Sequence, residues 1–207
     1  MSYSEIKRLI DIFLSFIALV VLFPLFFLIS VAIKLDSKGP ILFKQKRVGI
    51  HKSYFYILKF RTMRVDAPND CPTHLLEEPD KWITRVGKFL RRTSLDELPQ
   101  LWNILVGHMS FIGPRPALWN QYDLIEERDK YGANNIRPGL TGWAQINGRD
   151  ELPIEIKAKL DGEYVEKISF LMDLKCFFKT ILSVFKGDGI VEGGTGALEK
   201  KKEIISE

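Results

Sequence analysis

Between Ile12 and Ile33 the chain runs for 22 residues without a charge, with Pro24 near the middle and basic residues outside both ends. At about 1.5 Å per residue such a segment measures roughly 33 Å as a helix, enough to cross a hydrocarbon core of about 30 Å. The flanks conflict with a straight crossing. Lys and Arg stay on the cytoplasmic side of a spanning segment, yet Lys7 and Arg8 precede this one and Lys34, Lys38, Lys44, Lys46 and Arg47 follow it. Both ends prefer the same side. Pro24 offers a resolution, because proline deletes the hydrogen bond to the carbonyl four residues back and clashes with it. Two limbs of similar length would dip into one leaflet and return, leaving the carbonyl near Val20 in need of a partner inside protein or near water. A kinked helix that crosses once accounts for the same residues, and charge and length leave both readings open. A cleaved signal peptide does not fit, since the apolar run is too long and no Ala-x-Ala-like site follows it.

Of the 207 residues, the roughly 170 beyond position 35 make one ordinary domain with a single core. Cys71 and Cys176 are far apart in sequence and lack neighbours at metal-ligand spacing, which argues against a disulfide scaffold and against zinc. The net charge is +4, but from Lys34 to Arg64 there are nine basic residues against one acid, Asp36. Directly after a membrane segment, such a stretch is most simply a contact with anionic lipid headgroups. The membrane segment weakens the competing reading, nucleic-acid binding.

Ile41–Phe43 and Ser53–Phe60, either side of Gly49–Lys52, predict a β-hairpin. Val65–Pro79 is a polar loop or lid. Lys81–Arg92 has the apolar spacing of a short amphipathic helix. A second helix is expected from Ser94 to about Val106, with Ser94 and Glu97 as a capping box and Pro99 in the first turn. Gly113–Pro116 is a rigid turn, Trp119–Tyr131 a polar helix, and Arg137–Arg149, with three glycines, a shaped loop rather than a packed element. Phe170–Lys186 carries Phe170, Leu171, Leu174, Phe177, Phe178, Ile181, Leu182 and Phe185 on one helical face, suited to a core or to the headgroup region, and the interface is favoured. The sum is an α+β chain, mainly helical, with a small β-hairpin and amphipathic interfacial helices. It divides into a membrane segment (1–35), a catalytic region (36–186) and a flexible tail (187–207).

No phosphate-binding glycine loop, dinucleotide fingerprint or nucleophile elbow is present. What remains are carboxylates and arginines. Asp96-Glu97 would serve a helix N-terminus as caps. The pair also follows Lys88, Arg91 and Arg92, and a divalent metal such as Mg²⁺ on these carboxylates would bridge to a diphosphate. A carboxylate is already ionised at neutral pH and needs no base to attack phosphorus, provided that metal and arginines offset the repulsion. Arg115, between two prolines, and Arg137 and Arg149, flanking the glycine-rich loop, suit bidentate phosphate contacts. Trp143 is a stacking surface for a nucleobase or a core residue. Asp161 and Asp173 are expected to be solvated or salt-bridged.

Lys7-Arg8-Leu9-Ile10-Asp11, the proline-broken segment, Lys59-Phe60-Arg61-Thr62-Met63, Ser94 to Leu101, Gly113-Pro114-Arg115-Pro116 and the run from Arg137 to Arg149 together resemble the bacterial sugar transferases. More narrowly, the chain looks like a small monotopic phosphoglycosyl transferase, over residues 5 to 186. The resemblance implies transfer of a phosphosugar from a UDP-sugar to undecaprenyl (polyprenyl) phosphate with release of UMP. It also implies a covalent intermediate on Asp96, Glu97 as its partner, and Mg²⁺ near Asp96. Lys59, Arg91, Arg115, Arg137, Trp143 and Arg149 become the expected substrate contacts. A re-entrant N-terminal hairpin on the cytoplasmic face of the inner membrane follows, with membrane lipid and other glycan-assembly enzymes as further partners. Family members often carry Ser before the breaking proline; here it is Phe23, so the break relies on other groups. The rival readings are a catalytically silent scaffold and a nucleotide-sugar hydrolase that uses water as acceptor.

Overall fold

A computed structural model of the chain describes residues 2–67, 79–148 and 152–186, with side chains to 183. Arg149, Cys71, most of the Val65–Pro79 loop and the tail from Gly187 lie outside the described residues.

Helices α1 (Tyr3–Val21) and α2 (Phe23–Asp36) meet at Leu22 with a bend of 61°. Pro24 falls in the first turn of α2, where a missing N–H costs nothing, so it opens the second helix instead of interrupting a single one. The Leu22 N–H donates to Ala18 O at 2.9 Å and also reaches Val20 O, the carbonyl that Pro24 frees. The surface of the pair is inverted. Phe13, Phe16, Val20, Val21, Phe23, Phe27 and Leu28 are exposed, while the buried positions of α1 are Asp11 and Ser15. The Ser15 hydroxyl donates to Asp11 O, and the Asp11 carboxylate accepts the Phe111 N–H at 3.1 Å.

Strands β1 (Leu42–Val48) and β2 (Tyr54–Phe60) form the expected antiparallel hairpin, in register from Leu42↔Phe60 to Val48↔Tyr54. The first strand extends through polar Lys44–Arg47, because cross-strand hydrogen bonds and the buried Phe55 and Ile57 of its partner supply what its own side chains lack. Helix α3 (Arg85–Arg92) is capped by Thr84, whose hydroxyl accepts the Gly87 N–H at 3.0 Å, and Asp36 at the end of α2 accepts the Val86 N–H at 3.0 Å. The helix starts four residues later than the sequence pattern, with a 3₁₀ turn over Pro79–Lys81 ahead of it.

The single capped helix expected from Ser94 does not form. Ser94 sits at φ 56° and caps nothing; Leu95–Glu97 is a 3₁₀ turn, and helix α4 (Gln100–Leu105) follows from Pro99. The capping box fails because the Glu97 carboxylate is drawn to basic side chains elsewhere. The Arg137–Arg149 segment is also more ordered than a loop. It holds strand β4 (Gly139–Thr141), parallel to β3 (Ser110–Ile112), and the short helix α6 (Trp143–Ile146), with α5 (Tyr122–Asp129) lying between the two strands in sequence. Its glycines serve close backbone approach. A Cβ on Gly139 would stand 2.1 Å from Gly113 N, and one on Gly142 2.0 Å from Gly113 O.

Helix α7 (Ile154–Glu166) has no clear apolar period because it buries Ala158, Asp161, Gly162 and Tyr164. Asp161 is paired to Arg128 at 2.6 Å, deep in the structure. Helix α8 (Phe170–Lys186) turns Met172 and Cys176 inward and leaves Phe170, Leu171, Phe177, Phe178 and Leu182 exposed. Asp173, on its inner side, binds Lys7 and accepts the Tyr3 and Tyr164 hydroxyls at 2.7 and 2.6 Å. The N-terminal pair shares its cores with the rest: Ala18, Leu19 and Leu22 pack on Phe55, Leu101 and Ile104, and Ile29 and Ile33 on Phe60 and Leu90.

Gly87 marks the tightest contact between α3 and the exit of β2, since a Cβ there would lie 2.0 Å from Thr62 O. Gly87→Ala should therefore destabilise the fold by about 2 kcal/mol or more through overpacking against rigid backbone, read as a lowered midpoint in thermal unfolding of the detergent-solubilised protein.

Candidate active site

Four segments converge beside the 3₁₀ turn over Leu95–Glu97. The end of β2 brings Lys59, the last turn of α3 brings Arg91, the Gly113–Pro116 turn brings Arg115, and the 3₁₀ turn itself presents Asp96 and Glu97. The Lys59 ammonium lies 2.7 Å from Glu97 Oε1, and an Arg115 guanidinium nitrogen 3.3 Å from the same oxygen. Arg91 Nε donates to Thr62 Oγ1 at 2.9 Å, which fixes its side chain against the strand exit.

The two carboxylates differ. Burial alone would raise Glu97, but the charges and hydrogen bonds of Lys59 and Arg115 hold it down to about 2. Asp96, 9% exposed, is pushed above the ordinary carboxylate range by burial and by the neighbouring Glu97 charge, against the pull of Lys59, Arg91 and Arg115. Among the described residues no hydrogen bond reaches the Asp96 carboxylate. One acid is thus ionised and engaged, while the other is desolvated and open to an incoming group.

Residues 2–187 match the family model described as bacterial sugar transferase. The chain belongs to that family. It is 42% identical over 187 residues to the "Undecaprenyl-phosphate glucose phosphotransferase" of Komagataeibacter xylinus, covering 84% of this chain and 35% of that protein. It is 42% identical over 190 residues to the "UDP-glucose:undecaprenyl-phosphate glucose-1-phosphate transferase" of Escherichia coli (strain K12), covering 88% of this chain and 40% of the relative. It is 40% identical over 190 residues to the "Exopolysaccharide production protein PSS" of Rhizobium leguminosarum bv. phaseoli, covering 86% and 94%. The chain thus spans well under half the length of the first two relatives and nearly all of the third.

In this member of the family Lys59, Arg91, Asp96, Glu97 and Arg115 come together; Arg137 and Trp143 make their contacts elsewhere, and Arg149 lies outside the described residues. Arg137 donates from Nε to Gly107 O at 3.0 Å, beyond the C-terminal end of α4, near Arg8. Trp143 donates from Nε1 to Glu163 at 3.2 Å, with the Lys175 ammonium 4.6 Å from its ring centroid. Two residues outside the sequence candidates matter for the geometry. Asn103 accepts the Leu58 N–H at 2.9 Å and donates to Tyr56 O at 2.8 Å, which hooks α4 onto β2 and sets Lys59 opposite Glu97. Arg8 donates to Ile104 O and Leu105 O at 2.6 and 2.8 Å, closing the other end of α4. A polar Asn amid Leu101, Trp102 and Ile104 was the available signal for the first.

Among the described residues no three His, Cys, Asp or Glu side chains converge on a metal position. The donor set fits a hard cation that takes one open carboxylate and completes its shell with diphosphate oxygens and water, the habit of Mg²⁺.

Because Glu97 titrates near 2 in the fold against an ordinary 4.5, its pairing stabilises the protein fully above pH 4.5 and fades as the pH falls toward 2. Glu97→Gln should cost about 2–3 kcal/mol at pH 7. The gap from the parent should narrow steadily below about pH 4.5, as followed by denaturant unfolding at a series of pH values.

Proposed function

We propose that the chain transfers a phosphosugar from a UDP-sugar to polyprenyl phosphate, with Asp96 as nucleophile. The observation that carries this is the buried Asp96 carboxylate, which no hydrogen bond reaches among the described residues, beside a Glu97 that Lys59 and Arg115 keep ionised, in a chain of the sugar transferase family. An Asp96 oxygen attacks the β-phosphorus. The bond from that phosphorus to the oxygen bridging to the α-phosphate breaks, and UMP leaves with the electron pair. An oxygen of polyprenyl phosphate then attacks the same phosphorus, freeing Asp96 and giving a polyprenyl diphosphate sugar. Lys59, Arg91 and Arg115 offset the charge of the diphosphate as the carboxylate approaches. Asp96 would be the residue to hold Mg²⁺, which would supply further neutralisation of the diphosphate charge. Burial and the neighbouring Glu97 charge raise the pKa of Asp96, and a poorly solvated, more basic carboxylate is a better nucleophile than an ordinary one. Two relatives are named for undecaprenyl phosphate and glucose, so UDP-glucose is the first donor to assay.

The inverted surface of α1 and α2 supports a re-entrant hairpin. Among the described residues no single helix is long and apolar enough to cross a membrane, and the bent pair meets that test only together. Set symmetrically about the membrane normal, limbs bent by 61° each incline about 30° to the membrane plane. A limb of roughly 28 Å along its axis then reaches about 14 Å deep, half of a hydrocarbon core of about 30 Å. Both basic flanks stay on the cytoplasmic face, as the charge rule requires. The exposed apolar face of α8 lies in the same interface, at the height where a lipid phosphate presents itself.

Asp96→Asn should lower UMP release by at least about 10³-fold while membrane association is kept. Its thermal stability should hold or rise, since a buried carboxylate with a raised pKa becomes neutral. The parent protein given UDP-glucose without lipid acceptor should release a single equivalent of UMP and stop; continued turnover in those conditions would mean a hydrolase. For the hairpin, Ser4→Cys and Lys38→Cys, with Cys71 replaced by Ser, should both react with an impermeant maleimide in inside-out vesicles. Neither should react in intact spheroplasts. Labelling of the two positions from opposite sides would establish a single crossing.

A further inference from the structure

Gln100 opens α4 and is 2% exposed, yet among the described residues its amide Nε2 has no hydrogen-bond partner. A buried N–H without an acceptor is costly, so this one asks for an explanation. Contacts on either side fix its place. One turn ahead, Asn103 bonds to Tyr56 and Leu58 of β2; one turn behind, Glu97 pairs with Lys59 of the same strand. Gln100 therefore lies against β2 between those two clamps, three residues from Glu97 and four from Asp96, the spacing of helical neighbours.

The partners of Glu97 are the cations that a diphosphate competes for. A phosphate binds arginine in a charge-assisted, bidentate manner, and the donor diphosphate carries more charge than one carboxylate. When Lys59 and Arg115 turn to it, Glu97 is left as a poorly solvated charge, which is strongly unfavourable unless another donor replaces them. A neutral amide is such a donor, and a diphosphate competes for it far less than for a cation. We infer that Gln100 is a positioning residue for the dyad: its amide N–H holds the Glu97 carboxylate once the donor diphosphate has drawn Lys59 and Arg115 away. In the free protein that N–H waits without a partner.

The inference rests on the transfer reading above, and the test separates the two. Gln100→Met keeps length and volume and lacks the N–H. In rapid-quench measurement of the first equivalent of UMP, normalised to folded protein, it should slow the burst by about 10–100-fold. The donor KM should stay within about two-fold and the thermal midpoint should hold or rise, because an orphaned polar group is gone. In a Glu97→Gln background the same substitution should add nothing, as expected of residues that act as one unit. A parent-like burst for Gln100→Met overturns the inference, as does an undiminished effect in the Glu97→Gln background. So does a fall in thermal midpoint with an unchanged burst per folded molecule. A parent protein that turns over without accumulating a covalent sugar-phosphate adduct would instead overturn the Asp96 reading, and this role with it.

Discussion

The ion cluster of Lys59, Glu97 and Arg115 is the joint on which the site depends. Its members come from a β-strand, a 3₁₀ turn and a proline-bounded turn, separated in sequence by 38 and 18 residues, and none of those segments has a core of its own. Buried charge pairs are weak contributors to net stability but costly to break, because removing one partner strands the other. That asymmetry suits a catalytic joint. It penalises arrangements in which the strand, the turn and the Pro-Arg-Pro segment part company, and it leaves Asp96 as the desolvated group beside them.

Asp96 and Glu97 show how one environment drives adjacent acids apart. Both feel burial, which favours the neutral form, and both feel the same cations. Glu97 receives direct hydrogen bonds from them and falls to about 2. Among the described residues Asp96 receives none, so burial and the Glu97 charge prevail. The difference lies in hydrogen-bond geometry more than in distance from charge, and that geometry follows from the left-handed Ser94 and the 3₁₀ turn. A regular capped helix would have bent Glu97 back toward Ser94 and given the two carboxylates similar surroundings.

This is also where sequence reading met its limit. The hairpin strands, α3, α5 and α8 were legible because their apolar periodicity or flanking turn residues reflect local preference. Ser94-x-x-Glu97 was a fair local signal for a cap, and long-range electrostatics overrode it. The glycines of Arg137–Arg149 suggested a loop, when they mark backbone contacts between β4 and Gly113 that a side chain would forbid. Helix α7 hid behind a buried face made of Ala158, Asp161 and Gly162. Of the candidate site, Asp96, Glu97 and Arg115 were legible from residue chemistry and Lys59 from family resemblance. The anchoring Asn103 was not, because its partners are main-chain groups of another element.

The bent N-terminal helix pair and the candidate site are tied by two polar contacts at the pair's open ends. Asp36, where α2 ends, accepts the Val86 N–H at the start of α3. Arg8, near the start of α1, holds the last carbonyls of α4. Asp96 lies in the link between α3 and α4, so both helices that flank it are pinned to points where the apolar limbs begin or end. Short charged contacts of this kind resist sliding more than apolar packing does, since a displaced partner leaves an unpaired donor or carboxylate near low-dielectric surroundings. In the proposed re-entrant arrangement, the height of the site above the hydrocarbon would be set by where Asp36 and Arg8 stand, just outside the uncharged segment. On the transfer reading, an Asp96 nucleophile held at that level would meet a lipid-borne phosphate at the headgroup plane while the lipid's chain stays in the bilayer.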